Sequence, residues 1–187
     1  MSLYPLPDGM EFSPGWSEYA NFISNALKLD ETVLKLLPNV VRALEIGSFE
    51  GRSAAWMLTH FLTHPESTLT CVDPLPTAIY ERFMRNMERI SPRKPELIRQ
   101  KSKDALPKLK GKYDFIYIDG DHSALGVLTD AVLAWPLLAP HGVMVFDDYA
   151  CDRLDIRRPV DAFVGLMYKH IEPVFSCYQL AIRRRGE

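Results

Sequence analysis

The spacing of apolar residues changes period repeatedly along the chain, and the changes divide it into alternating strands and helices. Residues 40–46 form an apolar run broken only by Arg42 and Glu45, and the run stops at Gly47. Residues 53–62 read as a helix. Residues 69–72 are a short β-rich run ending at Asp73-Pro74, and 77–90 form an amphipathic helix stopped by Ser91-Pro92. A weak strand at 96–98 precedes a short helix at 103–109. Residues 113–118 are a strong strand closed by Asp119-Gly120, followed by a long helix over 122–138. Residues 142–146 make a strand ending in Asp147-Asp148. The tail reads as a helix at 155–168 and two strand-like pieces, 171–175 and 178–182.

Upstream of this alternation, residues 1–15 are rich in Pro and Gly and read as an arm. Trp16, Tyr19, Ala20, Ile23 and Leu27 share a helical face over 16–29. A second short helix is expected over 30–37, with Asp30 as its N-cap and Pro38 just beyond it.

Successive strand-then-helix units imply a parallel sheet, because parallel neighbours need crossovers long enough for a helix. The last two strand pieces are too close for a crossover, so an antiparallel pair at one edge is expected. The prediction is an α/β fold with a doubly wound, mostly parallel seven-stranded sheet and an antiparallel edge hairpin. Residues 1–39 form an N-terminal arm and helices covering the site, and 40–187 form the main domain.

In such a sheet, ligands bind outside the carboxyl ends of the strands, where the strand order reverses. Glycines and acids fall at those ends here: Glu45 and Gly47, Asp73, Asp119 to Asp121, and Asp147 with Asp148. Gly47 permits a tight turn, and Gly51 lets the next helix start close to a ligand. Phe49 occupies the middle glycine position of the G-x-G-x-x-G dinucleotide loop, which disfavours an NAD-linked oxidoreductase. Asp73 is placed to accept hydrogen bonds from ribose hydroxyls. The carboxylates at 119–121 and 147–148 repel one another unless a proton or a cation neutralises them, and oxygen donors suit Mg²⁺. Asp121 also stands where a helix cap belongs. His122, beside this cluster, has the chemistry of a general base near neutral pH.

The segments A43-LEIGSFEGR-S53, C71-VD-P74, Y113-DFIYIDGD-H122 and L138-APHGVMVFDD-Y149 resemble the class I S-adenosylmethionine-dependent methyltransferases. The likeness is to the compact O-methyltransferase group that includes macrocin and catechol O-methyltransferase-like enzymes. It covers about residues 40–150 and implies a Rossmann-like fold. It further implies that Glu45, Gly47, Ser48 and Ser53 meet the methionine end of the cofactor, and Gly51 is expected to border the cofactor where the helix begins. Asp73 would take the ribose, Ser102 with Lys103 or Asp104 would border the adenine, and Asp119 would lie beside the cofactor. Asp119, Asp147 and Asp148 match the Mg²⁺ ligands of the metal-dependent members. Asp121 matches the base of sugar-modifying members, and His122 stands where the catechol enzymes carry a lysine. The implied reaction is metal-assisted O-methylation of a small-molecule hydroxyl on a sugar or phenol. A metal-independent or non-catalytic cofactor-binding domain is the alternative.

Bulk properties narrow the partners. A net charge of -2 gives no reason to expect nucleic acid, and the basic residues between Arg93 and Lys112 read as a solvated face. Cys71, Cys151 and Cys177 form no CxxC, and two lie in apolar strand-like runs. Buried reduced thiols and a cytoplasmic location are therefore expected. The apolar stretch 124–139 is interrupted by Thr129, Asp130 and Pro136, so no membrane span is expected. A small-molecule substrate is the expected partner, with a homodimer or a place in a larger multidomain chain both open.

Overall fold

The computed structural model describes residues 4–13, 19–90 and 92–186, with the backbone alone for 19–23. A helix, α1 (Tyr19–Thr32), and a single 3-10 turn (Leu34–Leu36) precede the first strand, β1 (Arg42–Ile46). There follow α2 (Arg52–Trp56), which runs into a π-turn (Met57–Phe61), β2 (Thr68–Val72), α3 (Thr77–Arg89) and β3 (Glu96–Ile98). Next come α4 (Ser102–Ala105), β4 (Tyr113–Ile118), α5 (Ala124–Ala134), β5 (Leu138–Phe146), α6 (Arg157–Met167), β6 (Ile171–Ser176) and β7 (Leu180–Arg184).

The seven strands form one sheet in the order β3-β2-β1-β4-β5-β7-β6. The first five are parallel, and β7 pairs antiparallel with both β5 and β6. The Rossmann-like doubly wound sheet with its antiparallel edge is therefore present. Both faces are apolar, as expected for strands covered on both sides. Ala43, Cys71, Phe115, Tyr117 and Val145 face the layer of α2 and α3. Their neighbours Leu44, Val72, Ile116, Ile118 and Phe146 face the layer of α5 and α6.

Several boundaries differ from the sequence reading. The helical face placed at Trp16 begins outside the described residues. α1 runs on through Asp30 with no break there, and the Asp30 carboxylate accepts a hydrogen bond from the Tyr4 hydroxyl (2.9 Å) instead of capping a new helix. α5 starts later than expected, because Ser123 is the N-cap and accepts from the Gly126 N–H (3.1 Å). Tyr178 and Gln179 belong to the turn before β7, where the Cys177 N–H donates to the Gln179 carbonyl (2.8 Å). That turn exposes Cys177, contrary to the buried thiol expected, while Cys71 is buried and all three cysteines are free. Among the described residues no helix is long and apolar enough to cross a membrane.

Candidate active site

Strand register builds the site. Ile46 pairs with Val72 on one side and Ile118 on the other, and Ile118 pairs with Phe146. The residues just past these pairs, Gly47, Asp73, Asp119 and Asp147, therefore emerge level along one edge of the sheet. β1 and β4 flank the point where strand order reverses, the expected position for a ligand. A cavity of about 1250 Å³ opens there, lined in part by Gly47, Asp73, Ser102, Asp119, His122 and Asp148.

The loop after β1 is held from two directions. Gly47 has φ 86°, and a Cβ on it would sit 2.0 Å from the Asp119 carbonyl oxygen, so the close approach of β1 and β4 excludes any side chain. Phe49 takes φ 43° without being glycine, which stores strain beside the cavity. Asp73 restrains it: one carboxylate oxygen accepts from the Ser48 N–H (2.8 Å) and the Phe49 N–H (3.0 Å), and the other from the Leu75 N–H (2.9 Å). Asp73 thus shapes the loop as well as facing the cavity.

Glu45, a methionine-end contact by the resemblance, and Gly51, expected beside the cofactor, do not line the cavity. Glu45 is fully buried beneath the loop and does not line the cavity. Its carboxylate accepts from the Ser48 hydroxyl (2.5 Å), the Ser53 hydroxyl (2.5 Å) and the Cys71 thiol (3.2 Å). Burial raises its pKa, and the two serine hydroxyls oppose that rise. Gly51 (φ 84°) lies against Met87 and Phe83 of α3, so its lack of a side chain serves helix packing. Ser48 and Ser53 do line the cavity, as does Ser102, which donates a hydrogen bond to the buried Asp130. Lys103 lines it too, whereas Asp104 is exposed outside it.

The acids at the ends of β4 and β5 separate into two groups. Asp119, His122 and Asp148 bring one donor atom each to within 4.8 Å of one another, a set able to hold a metal ion. His122 Nε2 lies 3.3 Å from Asp119 and 3.2 Å from Asp148. Those hydrogen bonds push the imidazole up to about 10, so it is charged at neutral pH when no cation is bound. Burial, with the neighbouring Asp147 carboxylate, pushes Asp119 well above the usual range. Asp148, at φ 53°, also accepts from the Tyr178 hydroxyl (2.5 Å). Burial pushes Asp148 up, but the hydrogen bonds from His122 and Tyr178 outweigh it and hold the pKa low.

Asp147, expected as a ligand, is not in this set. The Gln179 side-chain amide donates to it at 2.8 Å, Asn25 approaches at 3.5 Å, and Tyr117 also hydrogen-bonds it. These partners turn it toward the α2 side of the sheet, and His122 occupies the third position instead. Sequence reasoning missed Asn25, Tyr178 and Gln179, which lie far from the glycine and acid segments and carry no motif, and Tyr117, which read only as an apolar position of its strand. Asp121 lines the cavity, and its carboxylate accepts from the Ser123 N–H (2.9 Å), which lowers its pKa.

Residues 44–149, more than half of the chain, match the family model described as a methyltransferase domain. The chain belongs to that family. The matched segment of this methyltransferase domain contains Gly47, Asp73, Asp119, Asp121, Asp147 and Asp148, while Phe12, Asn25, Asp152, Tyr178 and Gln179, which also line the cavity, lie outside it. Solved structures of the same fold include a protein from Corynebacterium glutamicum, at 16% identity and TM-score 0.66 over 98% of this chain and 84% of that one. The O-methyltransferase from Bacillus cereus in complex with SAH matches at 18% identity and TM-score 0.63, over 97% of this chain and 84% of that one. The N-methyltransferase NodS from Bradyrhizobium japonicum matches at 17% and 0.60, over 94% and 100%. Identities this low establish the fold, and with both kinds present the fold does not choose the atom methylated. No curated protein matches the chain.

Proposed function

We propose that this chain is an S-adenosylmethionine-dependent methyltransferase acting on a hydroxyl oxygen of a small molecule with the help of a divalent cation, as in the macrocin and catechol O-methyltransferase-like group. The observation carrying this reading is the meeting of Asp119, His122 and Asp148 on the same cavity as the Gly47 loop and Asp73. The cavity exceeds the roughly 300–1,000 Å³ of a site for one small ligand, which suits a nucleoside cofactor and an acceptor together.

In this reading Gly47, Ser48 and Ser53 border the methionine end, Asp73 the ribose and Ser102 the adenine, with Glu45 fixing both serines from beneath. Phe12, Asn25, Ala26 and Leu29 line the cavity, which supports residues 1–39 as its cover. Two carboxylates and an imidazole fit a divalent ion, whose charge offsets their mutual repulsion. Asp119, His122 and Asp148 would hold it, and the imidazole admits Mn²⁺ or Zn²⁺ as well as Mg²⁺. Such an ion, when bound, lowers the pKa of a neighbouring hydroxyl. The acceptor oxygen bonds to the methyl carbon as the carbon–sulfur bond breaks, releasing S-adenosylhomocysteine. Asp121, kept ionised by the Ser123 N–H, accepts the hydroxyl proton at the cavity wall.

A second reading has its own support. Protonated His122, bridging Asp119 and Asp148, itself supplies positive charge, as a metal-independent enzyme would need. Calorimetric titration with S-adenosylhomocysteine and with NAD, with and without Mg²⁺ or Mn²⁺, tests both readings. S-adenosylhomocysteine should bind and NAD should not. Methyl transfer that survives EDTA and the Asp148→Asn substitution would rule out the cation, and binding of NAD alone would overturn the methyltransferase reading.

A further inference from the structure

We propose that Gln179 reads a hydroxyl of the methyl acceptor, so that the site prefers a polyhydroxylated acceptor such as a glycoside over a simple phenol; this rests on the methyltransferase reading of the cavity. Gln179 is fully buried yet lines the cavity, in the turn entering β7. Leu180 pairs with Phe146, so the antiparallel register sets Gln179 beside Asp147. Its side-chain nitrogen donates to the Tyr117 hydroxyl (2.8 Å) and to Asp147 (2.8 Å). Turning the amide over would set Oε1 against a carboxylate oxygen of Asp147, which already accepts from Tyr117. The orientation is therefore fixed, and among the described residues the side-chain oxygen, Oε1, has no partner. A buried acceptor left unmade costs free energy comparable to a lost hydrogen bond, and a ligand donor removes that cost.

The donor belongs to the acceptor substrate and not to the cofactor. β7 stands three strands from β1, about 14 Å at ~4.8 Å per strand, whereas the cofactor loop follows β1. The donor is a neutral hydroxyl. Asp147 already has Gln179, Tyr117 and Asn25, and Asp148 has His122 and Tyr178, so the acceptor left open is an uncharged amide oxygen.

Gln100 and Gln179 are the only glutamines, so ¹⁵N-glutamine labelling yields two side-chain amide signals. Protein loaded with S-adenosylhomocysteine is titrated with methyl glucoside, methyl rhamnoside, their fully O-methylated forms, and phenol. The Gln179 signal should move with at least one free glycoside and stay put with the O-methylated forms and phenol, while exposed Gln100 remains fixed. A Gln179 signal unmoved by both free glycosides, or moved equally by phenol, overturns the proposal. Failure of S-adenosylhomocysteine to bind would instead refute the underlying methyltransferase reading. With a glycoside that is turned over, Gln179→Met should raise KM about tenfold with kcat little changed, as for lost uniform binding. An equal rise for the analogue lacking the contacted hydroxyl would mark the residue as merely structural and sink the inference.

Discussion

Asp73 offers the sharpest test of how the cofactor loop is held, because its carboxylate accepts three backbone N–H groups, from Ser48, Phe49 and Leu75. Asn in its place has one acceptor oxygen. That oxygen can keep Ser48 and Phe49, but the new NH₂ then faces the Leu75 donor, and the charge assistance disappears. Hydrogen bonds to a charged group are worth about 1.5–3 kcal/mol each, and an unmade one costs about 1–3 kcal/mol. The expected loss is therefore about 2–3 kcal/mol for Asp73→Asn and more for Asp73→Ala, which frees all three amides beside the strained Phe49. If the loop keeps its shape, the loss appears in unfolding free energy. If it relaxes, the loss appears in cofactor affinity, at tenfold in Kd per 1.4 kcal/mol. Urea unfolding and calorimetry with S-adenosylhomocysteine together capture both routes. The reasoning fails if Asp73→Ala leaves the midpoint of unfolding unchanged and the Kd within twofold of the parent.

Other consequences can be checked separately. Asp130 is 2% exposed, and burial pushes its pKa to about 6. A raised carboxyl pKa gives stability that is complete below the unfolded value near 3.9 and lost as pH rises through 6, so Asp130→Asn should melt higher than the parent at pH 8 by about 1–3 kcal/mol and match it near pH 4. An equal melting shift at both pH values would count against that assignment. For Gly47→Ala, the overlap with the Asp119 carbonyl and the positive φ predict insoluble or unfolded protein, and a soluble variant that binds S-adenosylhomocysteine normally would contradict the packing described. Glu50, buried under the N-terminal arm, accepts from the Ser13 N–H (2.7 Å) and hydroxyl (2.6 Å) and pairs with Arg82. Glu50→Gln should release the arm and speed proteolysis before residue 19; cleavage at the parental rate would refute that anchoring role.

Local chemistry made much of this molecule legible in advance. β2, β3 and β4 fall within a residue of the runs that predict them, because a strand covered on both faces is mostly apolar. Gly47, Asp73, Asp119 and Asp147 follow directly on the last residues of β1, β2, β4 and β5, where the chain leaves the sheet. Gly47, Ser48, Asp73, Asp119 and His122 were therefore legible as site residues. What the sequence could not determine is which neighbours pair and which way a side chain turns at a strand end. Asp147 and Asp148 are chemically identical in the chain. They differ in the fold because β7 returns antiparallel beside β5 and brings Gln179 against Asp147, while a left-handed backbone at Asp148 turns it toward His122. That choice depends on a contact between residues 32 positions apart, and no periodicity or motif records it. The likeness of the two acids was fixed by sequence; their division of labour was decided by the packing of the sheet edge.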